Sequence, residues 1–200
     1  MREPDNILEV GELEPDFMGF IFYDRSPRYV PASFVMPSGF RKTIQKVGVF
    51  VNEGFDEIIN LIRKHNLDFV QLHGNEPVSL SKKLKETGVG VIKVFSIDQN
   101  FDFKILNPYK SVVDFFLFDT KGKFYGGNAS TFDWNVLRQY DQKTPFILSG
   151  GISLENVHDI AKLKGMNIHA VDINSGVEIE PGVKDVNTIN QLMKILKSKF

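Results

Sequence analysis

Seven short apolar segments recur along the chain, and a polar stretch follows each of them. They are FMGFIF (Phe17–Phe22), KVGVFV (Lys46–Val51), FVQLH (Phe69–His73), VIKVF (Val91–Phe95), FFLFD (Phe115–Asp119), FILSG (Phe146–Gly150) and AVDIN (Ala170–Asn174). Several are apolar almost throughout rather than alternating, the pattern of parallel strands covered on both faces. Between them, apolar residues three or four apart predict helices over Phe55–His65, Pro77–Glu86, Asp133–Tyr140 and Leu154–Leu163, with Ser153 placed to cap the last. The terminal Asp185–Lys199 is the clearest helix, with Val186, Ile189, Leu192, Met193 and Leu196 on one face. Asp24–Phe40, rich in Pro, Ser and Arg, reads as a strand-to-helix loop running into a weak helix.

A repeating strand–helix unit leads to a doubly wound sheet or to a (β/α)₈ barrel. No GxGxxG or GxxxxGK[ST] fingerprint accompanies any strand, so the regular spacing and the polar strand ends favour the barrel. No linker or change of composition divides the chain, which reads as one domain over residues 1–200. Seven strands leave the barrel one short. The start of the chain agrees, because Glu3-Pro4-Asp5-Asn6 is a helix-start signature with no strand ahead of it.

Composition adds mainly exclusions. At 42% hydrophobic, 24% charged and net charge −1, the chain is an ordinary globular one rather than a disordered one. No Lys/Arg cluster suggests a nucleic-acid or membrane surface, and no apolar run approaches the roughly 20 residues of a membrane span. The N-terminus lacks a secretory apolar region, so a cytoplasmic location is expected. There is no cysteine, which removes disulfides, thiolate metal sites and a Cys nucleophile from these residues.

In such barrels chemistry sits at the C-terminal strand ends, and phosphate commonly binds in the last two strand–helix loops. Those loops here are SGGISLEN (Ser149–Asn156) and NSGVEIEPG (Asn174–Gly182). Gly150-Gly151 allows close backbone approach to an anion, a helix from Leu154 would point free N–H groups at it, and Ser175-Gly176 would add more. Glycines after strands also serve simply as turns; two such loops in succession favour a phosphorylated small-molecule ligand. Asp119, led in by four large apolar residues, is a candidate general acid, or else a cap for the loop TKGKFYGGNAS. Arg25 and Arg28 in FYDRSPRYV suit a carboxylate or phosphate, or are exposed loop residues. His73 lies on the functional rim as a substrate-binding candidate, a structural hydrogen bond being the alternative. His65, His158 and His169 read as helix-surface or strand-start residues, and no metal-ligand spacing emerges.

Taken together, GFIFYDRSPRYV, VGVFVNE, VQLHGNE, FDTKGKFYGG followed by FDW, LSGGISLENV and VDINSGVE resemble the phosphoribosylanthranilate isomerase family, in order and spacing, from end to end. The resemblance implies a (β/α)₈ barrel of tryptophan biosynthesis that performs an Amadori rearrangement with neither metal nor organic cofactor. It implies that Asp119 is the general acid on the furanose ring oxygen and that Arg28 holds the anthranilate carboxylate. The phosphate would rest on Gly150, Gly151, Ser175 and Gly176. The family's first strand ends in a Lys-x-Cys-Gly pattern whose cysteine is the catalytic base, and MREPDNI matches the family's residues directly after that pattern. The expectation is therefore a barrel without its first strand, impaired in turnover and able to self-associate through its two open edges. Two departures accompany this: Gly126-Gly127-Asn128-Ala129 replaces a GGTG or GGSG pattern, and INSG replaces VSSG. The alternative is a non-catalytic barrel that binds a phosphorylated ligand and serves an interaction role.

Overall fold

The computed structural model of the chain describes residues 1–31, 33–120 and 133–197. Seven parallel strands run in sequence order through one sheet: β1 (Phe17–Ile21), β2 (Gln45–Phe50), β3 (Phe69–Leu72), β4 (Gly90–Ile97), β5 (Phe115–Thr120), β6 (Phe146–Leu148) and β7 (Ile168–Val171). Six fall on the predicted apolar segments; β7 starts two residues before the seventh, Ala170–Asn174, and ends at Val171, leaving Asp172–Asn174 in the following loop. Parallel neighbours that are also sequence neighbours require every connection to cross over on the same side, which curls the sheet toward a barrel.

Side chains alternate across a strand, so each strand serves two cores. Val47, Ile92, Val94, Leu117 and Ile147 point to the inside of the curl and form a small apolar cluster. Phe116 and Phe118 of β5 point the other way and join Phe20, Phe50 and Phe146 in the larger core under the helices. Fully burying a phenylalanine there stabilises by about 1.5–3 kcal/mol. At the bottom of the inside, β1, β3, β5 and β7 each contribute one ring. Phe17 meets Phe69 at 5.5 Å between centroids, Phe69 meets Phe115 at 5.8 Å, and Phe115 stacks on His169 at 4.1 Å. His169 then meets Phe17 at 6.0 Å, closing a four-ring layer drawn from alternate strands, as barrel interiors are built. That last contact spans the seam between β1 and β7, which share no ladder among the described residues. The Met1 amine donates to the Gly19 carbonyl at 2.9 Å beside this seam.

Helices α1 (Pro4–Gly11), α2 (Phe55–His65), α3 (Val78–Glu86) and α4 (Val186–Lys197) cover the outside. α2 buries Ile58 and Leu61, carries Asp56 and Glu57 in its first turn and Arg63 and Lys64 in its last, and stops at Asn66 in the left-handed conformation. Asp185 caps α4, its carboxylate accepting from the Asn187 and Thr188 amides at 2.9 and 3.2 Å.

Three expectations change. The helices predicted over Asp133–Tyr140 and Leu154–Leu163 are short 3₁₀ segments, Trp134–Gln139 and Val157–Leu163. Pieces this short gain too few bonds to repay α-nucleation, and in the second Asn156 instead ties the loop, accepting from the Ser153 amide and donating to the Gly151 carbonyl. The weak helix within Asp24–Phe40 is absent among the described residues; turns run through it, and Tyr29 bridges to Ile21. Pro27, Pro31 and Pro37 remove the donors a helix would need. His65 is buried against Phe22, 5.1 Å between ring centroids, rather than on a helix surface. The loop after Asp119, including Gly126-Gly127-Asn128-Ala129, lies outside the described residues apart from its first residue, Thr120.

Candidate active site

The alternation that places Phe115 and Leu117 inside carries Asp119 into the mouth of the curl, and on β3 the same parity carries Phe69, Gln71 and then His73 there. Asp119 is buried, with Oδ1 accepting from the Thr120 amide at 2.8 Å and Oδ2 3.5 Å from His73 Nε2. The two candidates from different strands therefore face each other.

The glycine loops close around them. Gly150 and Gly151 both take left-handed conformations, φ +94° and +65°. A Cβ on Gly150 would lie 2.5 Å from the Thr120 amide nitrogen and 3.0 Å from Asp119 Oδ1, so this loop packs directly on the acid's strand end. A Cβ on Gly176 would stand 2.2 Å from the Ile152 carbonyl oxygen, so the second loop packs on the first. Ser175 and Gly176 open a single 3₁₀ turn. The Gly150 and Gly151 amides donate to no acceptor among the described residues. Because the helix expected from Leu154 begins only at Val157, any anion here would be held by loop amides rather than by the first turn of a helix.

One cavity of about 480 Å³ joins these groups, lined at its mouth by His73, Asp119, Gly150, Gly151, Ser175 and Gly176. Arg28 also lines it, whereas Arg25 is exposed outside it. The cavity continues between β1 and β7, past Met18, Ile147 and Ile168. Its size is that of a site for a small metabolite.

Three residues were given no role by the sequence: Asp172 and Lys184, which line the cavity, and Glu178, which contacts the lining Arg28. Asp172, just past β7, accepts from Ser149 Oγ at 2.9 Å; desolvation and the nearby Asp119 charge push its carboxyl up, and the Ser149 hydrogen bond opposes them. Glu178 accepts from Arg28 Nε and Nη2 and from Lys184 Nζ. Burial alone would push the Glu178 carboxyl up, but Arg28 and Lys184 together hold it down at about 2. Burial lowers the Lys184 ammonium, with Glu178 restoring part of the loss. Glu178 lies within the last loop and Lys184 just after it, and only the turn Pro181-Gly182 between them is a local signal; nothing in the sequence joins Glu178 to Arg28. No three His, Asp or Glu side chains group as a metal site, and no helix is long and apolar enough to cross a membrane, among the described residues.

Comparison with known proteins gives a consistent result. Residues 1–195 match the family model for N-(5'phosphoribosyl)anthranilate (PRA) isomerase. Proteins named N-(5'-phosphoribosyl)anthranilate isomerase from Parabacteroides distasonis and Phocaeicola vulgatus are each 41% identical, covering 97% and 100% of this chain and 89% and 96% of their own. The crystal structure of phosphoribosyl anthranilate isomerase from Thermotoga maritima superposes with a TM-score of 0.85 at 31% identity, over 99% of this chain and 96% of that one. A phosphoribosyl anthranilate isomerase solved with reduced 1-(o-carboxyphenylamino)-1-deoxyribulose 5-phosphate superposes with a TM-score of 0.81 at 30% identity, over 98% and 94% of the two chains.

Proposed function

Because this chain belongs to the phosphoribosylanthranilate isomerase family, we propose that its cavity carries out that family's reaction with the residues just described. The chain is an isomerase of tryptophan biosynthesis with the (β/α)₈-barrel fold of its relatives, of which seven parallel strands lie among the described residues. In the assignment proposed, the substrate is N-(5-phosphoribosyl)anthranilate and the product 1-(2-carboxyphenylamino)-1-deoxyribulose 5-phosphate. Asp119 donates a proton to the furanose oxygen as the C1′–O bond opens to a Schiff base. The C2′ proton then passes to a base, which is solvent water where these residues place no base side chain, giving an enolamine, and return of a proton at C1′ completes the amino ketone. The Gly150-Gly151 and Ser175-Gly176 loops hold the phosphate, Arg28 meets the carboxylate and His73 contacts the sugar beside Asp119.

The observation that carries this reading is the convergence of an acid, a guanidinium and two packed glycine loops on a single cavity. The relative solved with a carboxyphenylamino deoxyribulose phosphate supports it, since that ligand bears both the phosphate and the carboxylate. These residues contain no cysteine, and a positioned base contributes about 10²–10⁴-fold, so turnover by the 200 residues alone is expected to be slow.

The test is the loss of phosphoribosylanthranilate fluorescence with this chain, with a version carrying a Lys-x-Cys-Gly strand ahead of Met1, and with Asp119→Asn in that version. The extended protein should turn over, and Asp119→Asn should lower kcat about 10²–10⁴-fold. An Asp119→Asn protein as fast as its parent would overturn the acid assignment. The reading includes a cytoplasmic location and self-association through the open edges of β1 and β7. One Thermotoga maritima structure is of monomers generated from a dimeric phosphoribosylanthranilate isomerase. Sedimentation equilibrium should show mass rising with concentration; a constant monomer mass would refute the association.

A further inference from the structure

A long arginine in a loop samples many rotamers, and holding it in one costs entropy that binding must otherwise supply. Arg28 is not left to sample. Its Nε donates to Glu178 Oε1 and Oε2 at 2.9 Å each, and its Nη2 donates to Oε2 at 2.6 Å, a side-on bidentate pair. The pair is well shielded, with 14% of the Arg28 side chain and 5% of that of Glu178 exposed.

Glu178 is itself held from two further directions. It accepts from the Gly182 amide at 3.0 Å, in the tight turn between two short antiparallel strands, β8 (Glu178–Glu180) and β9 (Val183–Lys184), where Gly182 has φ +92°. It also accepts from Lys184 Nζ at 2.9 Å. The backbone of Lys184 is fixed by Asn6 of α1, which accepts from its amide at 2.7 Å and donates to its carbonyl at 2.9 Å. The Lys184 ammonium also donates to the Asn174 carbonyl at 3.0 Å, in the second glycine loop. Arg28 is thus tied through Glu178 to the loop that carries Ser175 and Gly176.

A guanidinium has two edges able to grip a carboxylate. Glu178 takes the Nε–Nη2 edge, and among the described residues Nη1 donates to nothing, so the outer edge remains for a ligand in the cavity that Arg28 lines. Two basic side chains stand against the single carboxylate of Glu178, so the fixture still favours an anion.

We propose that Glu178 is a positioning residue that holds the Arg28 guanidinium edge-on to the cavity, and that this fixture makes the enzyme select ligands bearing an aryl carboxylate. The inference rests on the reading that Arg28 meets the substrate carboxylate, and deepens it. The relevant comparison is between two ligands that share the phosphate and sugar and differ only in that carboxylate.

The test measures by calorimetry the binding of reduced 1-(o-carboxyphenylamino)-1-deoxyribulose 5-phosphate and of the same compound without the carboxyl, to the parent chain, Glu178→Gln and Arg28→Lys. Glu178→Gln should weaken the carboxylated ligand about 10–100-fold, the equivalent of one charge-assisted bidentate contact, and leave the carboxyl-free ligand within about 3-fold. Arg28→Lys should discriminate in the same sense. Should Glu178→Gln not fold, Glu178→Asp keeps the charge but withdraws the carboxylate by one methylene, and it should show the same selective loss, smaller. Equal weakening of both ligands, or of neither, by the Glu178 variants would overturn the positioning role even where Arg28→Lys discriminates. An Arg28→Lys protein that weakens both ligands equally would instead overturn the reading of Arg28 on which the inference rests.

Discussion

Two buried lysine–glutamate pairs tie strands to loops, and they differ in what their remaining atoms do. Lys93 of β4 pairs with Glu76 at 2.9 Å, with 3% and 1% of the two side chains exposed. Lys184 pairs with Glu178 at the same distance, with 7% and 5% exposed. By burial alone they would be judged alike. The first pair is closed: the Lys93 ammonium also donates to the Leu72 and Gly74 carbonyls, and Glu76 accepts from the Asn52 and Gly74 amides. It binds the loops after β2 and β3 to each other and so steadies the segment that carries His73. The second pair is open, because its carboxylate is shared with Arg28, which lines the cavity. In the reading proposed above, saturation by backbone goes with a structural pair and a partner facing the cavity with a functional one.

Deleting each lysine should separate the two pairs most widely. Lys93→Met leaves Glu76 buried without its counter-charge and should cost about 3–5 kcal/mol in chemical denaturation. Lys184→Met leaves Glu178 still gripped by Arg28 and the Gly182 amide, and should cost only about 1–2 kcal/mol. Equal losses would mean that openness makes no energetic difference.

A smaller effect comes from acid. The Glu178 carboxyl is held at about 2, below its ordinary 4.5. Its contribution to stability is therefore complete above about pH 4.5 and is lost as pH falls through about 2. Denaturation midpoints recorded from pH 6 down to pH 2 should fall less steeply in Glu178→Gln than in the parent; parallel curves would place the acid sensitivity elsewhere.

These pairs also mark how far the sequence reads. The seven strands were legible because a strand covered on both faces has to be a short apolar run, and α2 because its apolar residues recur at helical spacing. The 3₁₀ segments were not, since over six or seven residues the same spacing fits either helix. The hairpin of β8 and β9 escaped because strands of three and two residues carry no period, though Pro181-Gly182 marked its turn. Asp119, His73 and the glycine loops were readable from their place after strands. Glu178 and Lys184 were not, because the partner that gives Glu178 its meaning lies 150 positions away and leaves no local pattern. The inner ring layer shows the same limit: His169 reads as an ordinary strand-start residue until Phe115 and Phe17 are brought against it.

Whether these groups form one site for a phosphorylated, carboxylated ligand is decided by calorimetric titration of the 200-residue chain with reduced 1-(o-carboxyphenylamino)-1-deoxyribulose 5-phosphate. The account predicts binding at a single site that inorganic phosphate competes away. A folded chain that gives no binding heat, or binding that phosphate leaves untouched, would contradict it.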